Sequence, residues 1–224
     1  MTPTSDSPAE LATDMASRFR GFLPVVIDLE TGGFDAQHNA ILEVAMVQVA
    51  FAADRLTITD RWQRAIQPYP GSTLDPASLK VTGIDPTDPD RGAVSESTAF
   101  KEMFKKIRIA MKTAGCQRAI LVAHNAAFDQ QFMQQSFIRN DLKRSPFHPF
   151  SFIDTASLAA VTFGHTVLSE ACSRAGIDFD ASRAHNALYD AERTADLFCE
   201  IVNRWRASGS TAIPPTAPSP APLP

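Results

Sequence analysis

The sequence predicts an α/β fold: a five-stranded sheet of mixed direction flanked by helices. Three observations predict it. Three strand-like apolar runs come first, two shorter runs then alternate with amphipathic segments, and 44% hydrophobic against 21% charged residues in 224 is enough for one substantial core.

Residues 23–29 are apolar and rich in β-branched side chains, residues 41–51 continue in that style, and residues 62–67 close a meander with them. Proline and glycine punctuate the chain through Gly92. Ser95 then offers an N-cap, with Glu96 beside it in the first turn, where negative charge favours the helix dipole. Phe100, Met103, Phe104, Ile107 and Met111 recur at helical spacing until Gly115 supplies a stop. Residues 119–123 read as a short buried strand, 128–139 as a helix, and 152–154 as a strand entering a helix over 155–163. The last long helix begins near Asn186 and aligns Leu188, Ala195, Phe198, Val202 and Trp205 on one stripe. Residues 1–7 and the tail 208–224, which reads SGSTAIPPTAPSPAPLP, carry too few apolar groups to offset their ordering entropy. Both ends are expected to be disordered around one folded domain over 8–207.

Composition excludes several classes. Cys116, Cys172 and Cys199 lie far apart, so sequence-local pairs can build neither a disulfide framework nor a zinc knuckle, and a reducing compartment is expected. The first twenty residues hold no apolar run of signal-peptide length, and no stretch is long enough to cross a bilayer, so a soluble, cytoplasmic chain is expected. Lys+Arg 21 against Asp+Glu 25 gives a net charge of -4; any nucleic acid must therefore be held by a local patch, not by the field of the whole molecule.

The informative carboxylates are those at the ends of apolar runs. Asp28 and Glu30 end VVIDLE two residues apart, and strand periodicity aims both at one face of the sheet. Their repulsion and desolvation are costly unless a cation joins them, and hard oxygen ligands favour Mg²⁺ or Mn²⁺. Taken alone, the pair also reads as an ordinary strand end with exposed acids. In AHNAAFD, Asp129 falls at a strand-to-helix turn, on the carboxyl edge where open α/β sheets place ligands. His124 in that turn reads as a hydrogen-bonded residue and not as a metal ligand. In AHNALYD, Asp190 is expected in the second turn of the last helix, with His185 on the approach to it, so the acid is fixed while the imidazole can swing. His185 has an equally good reading as an N-terminal cap.

DLETGG at 28–33, HNAAFD at 124–129 and HNALYD at 185–190 resemble the three motifs of the DEDD exonuclease superfamily, in the subgroup whose third motif has histidine five residues before the final aspartate. RFRGFLPVVIDLETGGF, GIDPTDPDRGAVSE, FHPFSFIDTA and ALYDAERTADLFCEIVNRW extend the resemblance over 18–206 to the ribonuclease T family of bacterial 3′ exoribonucleases. The resemblance implies a ribonuclease H-like fold, a homodimer, two Mg²⁺ per subunit with Mn²⁺ as a substitute, and trimming of unpaired 3′ ends of tRNA and small stable RNAs to nucleoside 5′-monophosphates. It further implies that Asp28, Glu30, Asp129 and Asp190 hold the metals, with Asp28 shared, and that His185 is the general base. An imidazole titrates near pH ~6.5, so activity is expected to fall on the acid side of neutrality. Phe34, Phe128 and Phe150 match the family's base-stacking positions. Arg18, Arg20, Lys112, Arg118, Lys143 and Arg144 form the basic patch with which one subunit holds RNA feeding the active site of the other. Ala77 and Val81 stand where the family has glutamate and phenylalanine, so weaker discrimination against a 3′ cytosine is expected. Two alternatives share the motifs: a proofreading-type DNA 3′ exonuclease, and a catalytically silent RNA-binding module.

Overall fold

The computed structural model describes residues 15–208; the expectations for 1–7 and for 209–224 fall outside them. In chain order the elements are β1 (Phe22–Thr31), β2 (Ile41–Ala52), β3 (Arg55–Ala65), α1 (Pro76–Thr82), α2 (Glu96–Thr113), β4 (Arg118–Ala123), α3 (Ala127–Arg139), β5 (Phe147–Asp154), α4 (Thr155–Phe163), α5 (Leu168–Ala175) and α6 (Ala187–Ala207). The sheet order is β3-β2-β1-β4-β5. β1, β2 and β3 pair antiparallel, and β4 and β5 join parallel to β1, which is the mixed five-stranded sheet the sequence predicts.

β1 is central, and Val25, Val26 and Ile27 are all fully buried. A strand achieves that only where both sheet faces are covered. α2 and α6 both pack on β1 and β2, and α4 and α5 pack behind α6 in a satellite cluster with Leu197 and Ile201. Phe100, Met103, Phe104 and Ile107 line the buried stripe of α2, and Ser95 caps it by accepting the Thr98 N–H at 3.2 Å.

Several details depart from the sequence expectations. β3 starts at Arg55, seven residues before the predicted strand, because Ala53 and Asp54 both take positive φ (45° and 65°) and make a tight hairpin without the usual glycine. Its outer edge is not left open: Asn203 of α6 accepts the Leu56 N–H at 2.8 Å and donates to the Leu56 carbonyl at 3.0 Å. β5 begins at Phe147, five residues early. Its pairing jumps from Ala119↔Phe147 to Leu121↔Phe152, so residues 148–151, including Pro149, bulge from an edge strand that tolerates them. α1 and α5, of only seven and eight residues, escaped prediction, although α5 sets Leu168, Ala171, Cys172 and Ala175 at helical spacing against the satellite cluster. Glu96 lies in the first turn of α2 as expected, but it is buried there, at 3% exposure. It accepts from Arg139 Nη2 at 2.7 Å, Arg139 Nε at 3.0 Å and Asn140 Nδ2 at 2.8 Å, tying the start of α2 to the end of α3. Trp205, assigned to the buried stripe of α6, is 57% exposed, because the end of the helix turns Asn203 and Arg206 inward, onto Leu56 of β3 and the Phe51 ring of β2, and leaves Trp205 outside. Among the described residues no helix is long and apolar enough to cross a membrane.

Candidate active site

Successive side chains of β1 leave opposite faces, so Asp28 and Glu30 emerge together while Ile27 and Leu29 enter the core. β4 runs parallel to β1 and ends at the same edge. Beyond Ala123 the chain turns at Asn125 (φ 62°), a residue type that tolerates left-handed backbone, and Asp129 lies in the first turn of α3. Asn186 caps α6 by accepting the Tyr189 N–H at 3.0 Å, which puts Asp190 in the first helical turn, not the second. The third motif thereby arrives at the same edge.

Asp28, Glu30 and Asp190 each offer a carboxylate oxygen, and these atoms lie within 4.8 Å of one another. Asp129 stands outside that tight group but lines the same cleft and is 4% exposed. Burial, then the charges of Asp190, Glu43 and Asp129, pushes the Glu30 carboxyl up to about 8. Asp129 is likewise pushed up to about 8, mainly by burial. Asp28 is raised well above the usual carboxylate range by burial and then by its acidic neighbours. Burial also raises Asp190, partly offset by the His185 N–H, which donates to its Oδ2 at 2.8 Å. The other oxygen, Asp190 Oδ1, is buried without a hydrogen-bond partner. Carboxylates this close are all uphill to ionise, and an orphaned oxygen points to an unmet electrostatic demand. A divalent cation with a preference for hard oxygen donors meets that demand, so the residues present fit one.

The cleft, of about 570 Å³, is lined beyond the acids by Phe34, Ala77, Val81, Phe128, Val167 and His185 among others. Phe34 is 83% exposed, and its ring meets that of Phe128 edge-on at 6.2 Å. The Phe34 loop is fastened by Asn39, whose Oδ1 accepts the Asp35 N–H at 2.8 Å and whose Nδ2 donates to Thr73 Oγ1 at 2.8 Å. A side chain at Gly33 would collide with the Asn39 carboxamide, which is why glycine sits there. His124 behaves as expected, bonding Thr155 Oγ1 at 3.0 Å and the Thr166 carbonyl at 2.7 Å. In doing so it ties the second motif to Thr166, which lines the cleft.

Not every predicted residue converges. Phe150 does not line the cleft; it stands 75% exposed on β5 against His148. Arg18 leaves the predicted basic patch, because its guanidinium packs over the Phe19 and Phe51 rings and is partly withdrawn from solvent. Arg20 and Arg118 both lower the His148 pKa after burial does, and Arg118, Lys143 and His148 line one groove between α3 and β5, so three patch members share a face. Lys112 and Arg144 are exposed, and neither lines that groove.

Two residues that sequence reasoning missed support the site. Asp154 Oδ1 accepts the Asn125 and Ala126 N–H groups at 2.9 and 3.3 Å while Asp154 caps α4, so one carboxylate fixes the second-motif turn. Its position before TASL is the available signal. Glu43 pairs directly opposite Glu30 in the sheet and adds a further negative charge; only the strand register reveals it.

The same arrangement of elements recurs in Escherichia coli exonuclease I solved in complex with a dT13 oligonucleotide, with a TM-score of 0.64 and 15% identity over 84% of this chain and 43% of that one. The likeness defines the class of the fold, a ribonuclease H-like α/β sheet, here with an acidic cleft at the ends of β1 and β4. A family model described as an exonuclease, RNase_T, matches residues 25–198. Ribonuclease T of Shewanella frigidimarina (strain NCIMB 400) is 55% identical over 199 residues, covering 88% of this chain and 90% of that protein. Ribonuclease T of Escherichia coli O9:H4 (strain HS) is 52% identical over 203 residues, covering 90% and 94%. The chain belongs to the ribonuclease T family of exonucleases.

Proposed function

We propose that this exonuclease is a 3′-to-5′ exoribonuclease that trims unpaired 3′ ends of tRNA and small stable RNAs in the cytoplasm and also acts on single-stranded DNA ends. The observation that carries the reading is the group of three carboxylates within 4.8 Å, with Asp129 beside them, in a cleft bordered by the exposed Phe34 and half-buried Phe128 rings. Asp28, Glu30, Asp129 and Asp190 would hold two Mg²⁺ ions, Mn²⁺ serving as a substitute. Bound ions of this kind lower the pKa of water and stabilise charge on a leaving oxygen. His185 takes the proton of the attacking water, its backbone tied to Asp190 and its ring facing the cleft. Release of a nucleoside 5′-monophosphate leaves the 3′ hydroxyl on the shortened strand.

Phe34 and Phe128 present ring faces to the terminal bases, which lack pairing partners and are gripped by stacking. Ala77 and Val81 offer the cleft no acidic or aromatic contact, so discrimination against an end in C is weaker than where glutamate and phenylalanine stand. Arg20, Arg118 and Lys143, with exposed Phe150 nearby, form the face along which RNA is held for the partner subunit of a homodimer. The likeness to an exonuclease solved with dT13 supports the DNA activity. Matched RNA and DNA strands with 3′ overhangs, digested with and without Mg²⁺, test the reading. Loss of both activities on Mg²⁺ removal is expected; ends shortened equally in EDTA would overturn it.

A further inference from the structure

We propose that Tyr189 is the positioning residue for His185: it pins the strap that carries the imidazole and thereby sets how far the ring can wander from the acidic cluster. The inference rests on the reading of His185 as proton acceptor. Of residues 178–186 only Phe179 and Ala184 are half-buried, Phe179 packing on the satellite cluster, and the stretch from Asp180 to the imidazole has little packing of its own. One side chain beneath it is buried, Tyr189 at 3% exposure. Its hydroxyl accepts the Asp180 N–H at 2.5 Å. Its ring is boxed by the Arg183 guanidinium at 4.4 Å, the Arg193 guanidinium at 5.4 Å and the Phe179 ring at 5.5 Å. Arg193 reaches past it to donate to the Asp178 carbonyl at 3.1 Å.

Tyr189 holds both ends of the strap. Its side chain fixes Asp180 while its backbone N–H donates to Asn186 Oδ1 at 3.0 Å. Between those anchors lie only residues 181–185, and Asp180 stiffens the first of them by accepting the Ser182 N–H at 2.9 Å and the Ser182 hydroxyl at 2.6 Å. His185 itself is held at φ 64°, a left-handed conformation that a histidine keeps only where its surroundings impose it. Cation–π contacts on a buried ring and a hydrogen bond to a backbone amide supply that constraint. Tyr189 does not line the cleft, so it acts through His185 and not on the substrate.

The test is Tyr189→Phe, which keeps the ring and removes the hydroxyl. Single-turnover cleavage of an end-labelled single-stranded RNA in Mg²⁺ should slow roughly three- to tenfold, the loss expected for one hydrogen bond. KM for the strand and the affinity for Mn²⁺ measured by calorimetry should stay within about twofold, since neither contact involves the hydroxyl. In a His185→Ala background the same change should cost nothing further, because a residue that works through the imidazole has nothing left to position. An equal loss in both backgrounds, or a Tyr189→Phe rate equal to wild type, overturns this role while leaving the base assignment standing. A His185→Ala rate equal to wild type overturns the base assignment and this role with it.

Discussion

Replacing Glu30 by glutamine should stabilise the metal-free protein at alkaline pH and leave it unchanged at acid pH. The carboxyl is pushed from its usual 4.5 to about 8, first by burial and then by Asp190, Glu43 and Asp129. The folded chain therefore retains a proton that the unfolded chain releases across the window from 4.5 to 8, and stability falls as pH rises through it. At ~1.36 kcal/mol per pH unit, the interval from pH 5 to pH 8 costs about 3–4 kcal/mol, and relaxation of the site with entry of water brings the expectation to about 2–4 kcal/mol. Glutamine resembles the protonated acid in size and polarity but carries no such penalty. At ~2–4 °C per kcal/mol for a chain of this length, the variant in EDTA should melt roughly 5–10 °C above wild type at pH 8 and level with it at pH 5. Mn²⁺ at pH 8 should reverse the order, since it rewards the charged site. The assay is thermal unfolding followed by circular dichroism at both pH values, with and without Mn²⁺. A variant no more stable than wild type at pH 8, or a gain that is the same at pH 5, would refute the claim that repulsion and burial dominate at this carboxylate.

Other expectations follow from the same geometry. Asp190→Asn should abolish degradation, at least a thousandfold below wild type in a gel assay, while filter binding of single-stranded RNA changes little; residual cleavage near wild type would remove Asp190 from the chemistry. Because Glu30 and Asp129 hold protons up to about pH 8, Mn²⁺ binding should release protons at pH 7 and tighten as pH rises from 6 to 8, a dependence that calorimetry in buffers of different ionisation heat measures directly. Phe34→Ala should weaken single-strand binding by roughly 1–3 kcal/mol with little change in melting temperature, since the ring is exposed and meets Phe128 only edge-on. Arg139→Met strands the buried Glu96 carboxylate and should cost roughly 3–5 kcal/mol in chemical denaturation, and Glu96→Gln in the same background should recover part of it.

The three motifs could be read because strand periodicity and helix starts are local properties: Asp28 and Glu30 are two apart on a strand, and Asp129 and Asp190 each follow a helix start by a few residues. Sequence also sufficed for α2, α4 and the mixed sheet, whose apolar patterns are long or sharply bounded. It misplaced β3 and β5, where a hairpin without glycine and a bulge around Pro149 break the usual signals. Trp205 and Arg18 show the limit of periodicity and charge, since an apolar stripe cannot say that Asn203 and Arg206 will turn inward in place of Trp205, and a positive charge cannot say which aromatic ring it will cover.

What the amino-acid order determined by itself is the kind of chemistry available: acidic and imidazole side chains set at strand ends and helix starts, which backbone geometry alone brings to the carboxyl edge. What tertiary structure alone decided is their energy. Glu43 faces Glu30 only through the β1–β2 register, Asp154 grips the second-motif turn across 28 residues, and the Asp190 oxygen is orphaned only because the packed cleft excludes water from it. Electrostatic cost depends on distance and on exclusion of water, and neither exists until segments far apart in the chain have packed together.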